Sequence, residues 1–168
     1  MRGPITIMGI DPGLAVTGFG IVQHAGNRFK LIDFGTVTTP AGEPLSERLR
    51  TLRDGLAEVL GAHAPVEAAV ERLFFNANVQ SALAVGQARG VALLALADAG
   101  LAVAEYTPSE VKQAVVGYGA ADKKQVQYMV KTILAMDAVP KPDDAADALA
   151  IAICHAHSRS AVADRRLA

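Results

Sequence analysis

Hydrophobic and polar residues along the chain follow two periods, one typical of strands and the other typical of helices. Short apolar runs predict strands over residues 5–10, 16–23, 29–37, 67–73 and 101–105. Apolar residues recur at helical spacing over residues 44–60 and 79–99, and three further helices are predicted to begin near residues 108, 123 and 143. The order β-β-β-α-β-α-β-α-α-α predicts an α/β protein with a five-stranded sheet flanked by helices.

Capping residues mark where two of the later helices begin. Thr107-Pro108-Ser109-Glu110 combines a threonine cap, a proline at the first helical position and a glutamate three residues after the cap. Asp122 and Gln125 have the same relationship at the start of the helix that begins at Lys123. The last helix is predicted to end near His157.

Length and composition indicate a single domain. With 168 residues, of which 51% are hydrophobic and 20% charged, the chain can bury a core without disulfide or metal support. No repeat or low-complexity segment divides the sequence. We therefore expect one domain over residues 1–158 and a flexible C-terminal tail over residues 159–168.

The sequence also constrains location and partners. Cys154 is the only cysteine and cannot form an intramolecular disulfide, and residues 1–4 lead into a strand rather than a signal peptide. Polar residues interrupt the apolar stretch over 79–101, which argues against a membrane span. We expect a cytoplasmic protein with no membrane partner. Because the net charge is −1, a nucleic-acid partner would require positive charge that is concentrated locally.

Four acidic residues lie at positions where desolvation and mutual repulsion make a carboxylate energetically unfavourable. Asp11 ends the first strand, Glu71 ends the fourth, and Asp144 and Asp147 share one face of the last helix at i, i+3. Desolvation and mutual repulsion of these groups would be offset by a divalent cation. Oxygen ligands favour Mg²⁺ or Mn²⁺ over zinc, and two such ions about 4 Å apart can hydrolyse a phosphodiester.

Each acid also has a purely structural interpretation. Asp11 before Pro12-Gly13 is a common turn residue, and Glu71 could lie on the rim of the sheet. Asp144 and Asp147 could complement a helix N-terminus, which is the preferred interpretation of the neighbouring Asp143. The joint occurrence of the four acids favours the metal site.

A set of motifs in a fixed order closely resembles the RuvC family of Holliday junction resolvases and extends over nearly the whole chain. The motifs are Gly9-Ile10-Asp11-Pro12-Gly13, Thr17-Gly18-Phe19-Gly20, Glu71-Arg72-Leu73-Phe74, Gln87-Ala88-Arg89-Gly90-Val91-Ala92, Val111-Lys112-Gln113, Val115-Val116-Gly117 and Asp144-Ala145-Ala146-Asp147-Ala148-Leu149-Ala150. The resemblance implies a ribonuclease-H-like fold with a mixed five-stranded sheet. It also implies an endonuclease that resolves four-way DNA junctions in recombination and repair.

The resemblance further implies a homodimer that makes paired, Mg²⁺-dependent cuts on opposing strands and works with the branch-migration helicase complex RuvA-RuvB. It makes Asp11, Glu71, Asp144 and Asp147 the catalytic, metal-binding acids. Two Mg²⁺ ions per site are expected, with Mn²⁺ as a substitute. Some members of the family have histidine where this chain has Asp144, and the adjacent Asp143 is an alternative ligand.

Five residues are predicted to contact DNA. The resemblance places Lys112 and Lys123 at basic positions of the active site, and Arg72 and Arg89 lie in segments that lead toward the acids. It also makes Phe74 the ring that stacks on an exposed base. The alternatives are a solvated helix face for the cations and ordinary core packing for the phenylalanine.

Two other functions compete with a junction nuclease. ATPases of the actin and sugar-kinase type also begin with a strand that ends in aspartate and a glycine turn, but they close two lobes around the nucleotide and this chain supplies one. A non-catalytic junction-binding dimer would gain nothing from acids that repel phosphate. Nucleotide binding and metal-dependent nicking distinguish these functions from the nuclease.

Overall fold

A computed structural model describes residues 3–72 and 78–166, with side chains described up to residue 159. The strands are β1 (Ile5–Asp11), β2 (Val16–Ala25), β3 (Arg28–Thr38), β4 (Glu67–Glu71) and β5 (Val103–Tyr106). The helices are α1 (Leu45–His63), α2 (Val79–Asp98), α3 (Pro108–Val116), α4 (Lys123–Ile133) and α5 (Asp143–Arg166). This order confirms the prediction, and both predicted capping boxes are formed.

The five strands form one mixed sheet in the order β3-β2-β1-β4-β5. β1, β2 and β3 pair antiparallel, whereas β1 pairs parallel with β4 and β4 pairs parallel with β5. The register places Ile10 opposite Val70, so the carboxyl ends of β1 and β4 lie side by side. Asp11 and Glu71 therefore emerge at the same edge of the sheet.

Each face of the sheet is covered by a separate layer of helices. One hydrophobic cluster joins α3, α4 and α5 to one face, and Ile7 belongs to it. The other cluster joins α1 and α2 to the opposite face, and Met8 and Ile10 belong to it. The apolar run in β1 is thus buried on both faces, as expected of a central strand.

α5 packs directly on the backbone of β1 and β2. A methyl group at Gly9 would collide with the carbonyl oxygen of Ala148, and one at Gly18 would collide with the carbonyl oxygen of Asp144. The two glycines therefore let the helix axis come closer to the sheet than any side chain would permit. This close approach brings the first turns of α5 to the edge where β1 and β4 end.

α5 is longer than the sequence predicted. It continues to Arg166 instead of ending near His157. Arg159 forms a bidentate ion pair with Glu67 of β4, which anchors the turn that follows His157 and explains why the helix does not end there. The division into a domain over residues 1–158 and a flexible tail stays a prediction.

Among the helices of the described chain, α2 is the one that is long and apolar enough to cross a membrane by length and composition alone. Core helices of soluble proteins satisfy the same criterion. On one side α2 buries Ala88, Ala92 and Leu96 in the cluster shared with α1. Its other side exposes large apolar residues.

Candidate active site

Four carboxylates converge where the sheet edge meets the start of α5. Asp11 and Glu71 end the parallel strands β1 and β4, and α5 contributes Asp144 and Asp147 from successive turns. Burial raises the pKa of Asp11 to about 7, and repulsion by Asp147, Glu71 and Asp144 contributes to the same shift. The fold therefore brings together the four acids that the sequence singled out.

The same two causes act on two further members of the group. Burial raises the pKa of Glu71, and the charge of Asp147 adds to the effect. Burial also raises the pKa of Asp147, with repulsion by Asp144 and Asp143 as further causes and the ammonium of Lys123 acting against them. Carboxylates that are partly desolvated and face one another favour a bound cation or proton at this edge.

The donor chemistry of this group fits a hard divalent cation. All four candidate ligands offer carboxylate oxygens, which Mg²⁺ and Mn²⁺ prefer. Within residues 3–72 and 78–166, no three acids, imidazoles or thiols lie close enough as they stand to hold one ion together. Burial and, after it, repulsion among these anions raise the pKa of Asp11, and a bound cation would offset both.

Two lysines lie beside the carboxylates. Glu71, Asp147, Lys112 and Lys123 line a cavity of about 300 Å³ whose apolar wall is formed by α3, α4 and α5. The ammonium of Lys112 acts on Glu71, where it lowers the pKa and partly offsets the effect of burial. Both lysines predicted to contact DNA are thus placed at the acidic edge.

The two arginines predicted to contact DNA are instead engaged with Glu105 of β5. Arg89 Nη2 donates to Glu105 Oε1 at 2.5 Å, and its side chain is only 15% exposed. Arg72 Nε lies 3.9 Å from Glu105 Oε2 and is more exposed. A phosphate contact by Arg89 would require this ion pair to open, so its role and that of Arg72 stay predictions.

Phe74, the predicted base-stacking residue, lies outside the described residues, and its role also stays a prediction.

Sequence reasoning missed the contacts of Asp143. Its carboxylate meets Lys123 and Gln127 of α4, so it does not act merely as a charge at the helix N-terminus. The spacing of Lys123 and Gln127, one helical turn apart, was the available signal.

A carboxylate site at the edge of this mixed sheet, with a long helix packed on the central strands, defines a ribonuclease-H-like protein. The family model described as crossover junction endodeoxyribonuclease RuvC matches residues 7–155 of the chain. The chain therefore belongs to the RuvC family of crossover junction endodeoxyribonucleases.

Similar proteins cover nearly the full length of this chain. The crossover junction endodeoxyribonuclease RuvC of Pelotomaculum thermopropionicum is 61% identical over 151 residues, which is 90% of this chain and 92% of that protein. Its counterpart in Alkaliphilus oremlandii is 56% identical over 152 residues, with 90% and 93% covered. The structure of Thermus thermophilus RuvC in complex with a Holliday junction substrate superposes with a TM-score of 0.89 at 39% identity, covering 94% of this chain and 96% of that one.

Proposed function

We propose that this protein resolves four-way DNA junctions by metal-dependent hydrolysis of one phosphodiester on each of two opposing strands. The observation that carries the proposal is the convergence of Asp11, Glu71, Asp144 and Asp147 at one edge of the sheet, in a chain of the RuvC family. The Thermus thermophilus protein, which shares the fold over nearly the whole chain, was solved with a Holliday junction. We expect the enzyme to act in the cytoplasm.

The four carboxylates would hold two Mg²⁺ ions, for which Mn²⁺ could substitute. When bound, such ions activate water and stabilise the leaving oxygen of a phosphodiester. Lys112 and Lys123 supply ammonium groups at the same edge, where they would neutralise the charge of the scissile phosphate. The apolar wall of the cavity excludes water from one side of the acids and so strengthens every charge interaction there.

Symmetric cuts on two strands require two active sites, which a two-fold dimer provides. The outer side of α2 exposes a stripe of apolar and small residues at spacings of three, four and seven: Val79, Leu83, Gly90, Leu94 and Ala97. Leu83 and Leu94 are 61% and 54% exposed, which is unusual for leucines on one continuous face. A second copy of the chain, packed against the same stripe, would bury this surface.

The dimer proposal is tested by an aspartate at each leucine, because charges would be buried against their symmetry mates. Light scattering should show a dimer for the wild type and a monomer for the Leu83→Asp/Leu94→Asp variant. Lys30→Asp, an exposed change on β3, is the control and should remain dimeric. A wild type that stays monomeric at micromolar concentration, with and without DNA, would contradict the proposal.

The catalytic proposal is tested with a synthetic four-way junction and a linear duplex of matching sequence, each with and without Mg²⁺. We expect paired cuts on the junction only, and only with the metal. Asp11→Asn should bind the junction without cutting it. Substantial cutting by the wild type in the presence of chelator would contradict the metal mechanism. Binding without cutting by the wild type in the presence of Mg²⁺ would favour a non-catalytic junction binder.

Two further elements of the proposal have their own tests. Base stacking by Phe74 predicts that Phe74→Leu cuts more slowly than Phe74→Tyr. Association with a RuvA-RuvB helicase complex predicts that those proteins change the rate or the position of cutting on a junction that can branch-migrate. Identical cutting with and without the helicase would leave the nuclease proposal intact and remove the partner.

A further inference from the structure

The first turns of α4 and α5 meet in a group of four polar side chains. Lys123 and Gln127 lie one turn apart on α4, and Asp143 and Asp147 lie one turn apart on α5. Lys123 Nζ lies 3.1 Å from Asp143 Oδ2 and 3.7 Å from Asp147 Oδ2. Gln127 Nε2 donates to the other oxygen, Asp143 Oδ1, at 3.0 Å. The lysine and glutamine of α4 therefore face the two aspartates of α5.

The two oxygens of Asp143 have different partners. One accepts from the amide of Gln127, which sets the orientation of the carboxylate, and the other receives the ammonium of Lys123. The ion pair of Lys123 with Asp143 is the closer one at 3.1 Å, and that with Asp147 is longer at 3.7 Å, beyond hydrogen-bonding distance. The ammonium thus lies closer to Asp143 than to Asp147.

This difference in distance matters because the ammonium of Lys123 and a divalent cation would compete for the carboxylate of Asp147. An ammonium in direct contact with Asp147 would occupy an oxygen that a divalent cation needs, and the cation would have to displace it. Yet a lysine at this edge is useful, because phosphate must be held beside the acids. The site needs Lys123 close to Asp147 without a direct bond.

We propose that Asp143, oriented by Gln127, is a positioning residue that holds Lys123 off Asp147 and so keeps Asp147 available to a divalent cation. The inference rests on the proposed function only in giving Asp147 the role of a metal ligand. It also assigns Asp143 a role different from that of a substitute for Asp144, since both of its oxygens already have partners on α4.

A favourable interaction with the N-terminus of α5 would explain an acid at Asp143 but not the rest of the arrangement. It requires neither a partner for Oδ1 on α4 nor an ammonium nearer to Asp143 than to Asp147. It also predicts that removing Gln127 has no effect on metal affinity. The two explanations therefore differ in a measurable way.

The test is calorimetric titration of Mg²⁺ into the full chain without DNA. Asp143→Asn should weaken Mg²⁺ binding about three- to fivefold, as Lys123 moves onto Asp147. Gln127→Met, which changes no charge, should weaken it in the same direction but less. Lys123→Ala should tighten it, and in that background Asp143→Asn should have no further effect. Asp137→Asn, an exposed acid ahead of α5, is the matched control and should bind like the wild type.

A weakening by Asp143→Asn that persists in the Lys123→Ala background would overturn the proposal, because Asp143 would then act on the ion directly. An unchanged or tighter Mg²⁺ affinity in Asp143→Asn would overturn it as well. Junction cutting, measured on the same samples, separates this inference from the proposed function. Affinity shifts as expected in a protein that does not cut would contradict the nuclease alone, and normal cutting with no shifts would contradict the positioning role alone.

Discussion

The two ends of β4 carry two glutamates in opposite electrostatic states. Glu67, at the start of the strand, receives two hydrogen bonds from Arg159 and lies 2.8 Å from Nε2 of His155, and Arg159 lowers its pKa. Glu71, at the end of the strand, is desolvated and faces Asp147, and its pKa is raised. Both side chains lie four residues apart on one strand, so the difference comes entirely from what the tertiary fold packs against them.

The group around Glu67 forms a closed network. Neutral His155, whose pKa is lowered by burial, can donate from Nε2 to Glu67 and accept the hydroxyl hydrogen of Tyr106 at Nδ1, with 2.8 Å at each contact. Arg159 provides the counter-charge. The Glu67 carboxylate, the His155 ring and the Tyr106 hydroxyl all have partners, so this end of β4 stabilises the attachment of α5 to the sheet.

The charges of the group around Glu71 are not fully compensated. Its carboxylates have repelling neighbours and two lysines that compensate only part of the charge. Such unfavourable electrostatics is typical of sites where binding a cation or a substrate supplies the missing compensation. One strand thus joins a group whose charges are compensated to a group whose charges are not.

The largest expected effect separates the two glutamates by activity. Glu71→Gln should lower junction cutting on the order of 10³-fold, because a charged ligand at the reacting centre is lost, whereas Glu67→Gln should retain most of the wild-type rate at a temperature where it is folded. Single-turnover cutting with saturating Mg²⁺ measures both. Equal losses in the two variants would erase the distinction between the two ends.

Stability should separate the same residues in the reverse sense. Arg159→Ala leaves Glu67 partly buried without its counter-charge and should cost about 2–3 kcal/mol of unfolding free energy. The exposed pair of Arg50 with Glu47 is the control, and Arg50→Ala should cost less than about 1 kcal/mol. Urea denaturation without metal measures both. A cost for Arg159→Ala no larger than for the control would mean that the network contributes little.

The pH dependence should differ in sign at the two ends. Because the folded-state pKa of Asp11 is raised from 3.8 to about 7, its charge destabilises the metal-free protein increasingly as pH rises from 4 to 7. Asp11→Asn should therefore be more stable than the wild type by roughly 1–3 kcal/mol above pH 7, and this gain should vanish near pH 4. Glu67, with its lowered pKa, contributes stability at neutral pH that is lost on acidification. Chemical denaturation with chelator across this range tests both signs.

A Mg²⁺ series extends that measurement. The stability gain of Asp11→Asn, and likewise of Asp147→Asn, should shrink or reverse as Mg²⁺ approaches saturation, because the ion stabilises only a native site that retains its ligands. Asn variants that melt well below the wild type without metal, and a wild type that gains nothing from Mg²⁺, would instead indicate structural acids.

The smallest effect concerns the lysines. Lys112→Ala should slow cutting and flatten the salt dependence of junction binding by about one counterion, because this ammonium lies beside Glu71, where the proposed function places the scissile phosphate. Lys131→Ala, toward the other end of α4, should do little. Unchanged cutting and an unchanged salt slope for Lys112→Ala would indicate that Lys112 is a solvated surface residue that does not contact phosphate.

The sequence by itself determined the order of the strands and helices and the caps of α3 and α4, because their signals are local. The apolar run that ends at Asp11, the capping box of Thr107 with Glu110 and the small spacing of Asp144 and Asp147 each depend on neighbours within one or two turns. The acids could also be selected from the sequence, since a carboxylate at the end of a buried strand is costly wherever that strand lies.

Only the tertiary structure decided what surrounds each charge. Glu67 and Glu71 look alike in sequence, and 92 positions along the chain separate Glu67 from Arg159, the cation that stabilises it. Likewise, Gly18 reads as an ordinary strand residue until α5 packs against it and brings Asp144 to the sheet edge. Electrostatic energies depend on distance and burial across the fold, and neither quantity is encoded in local periodicity.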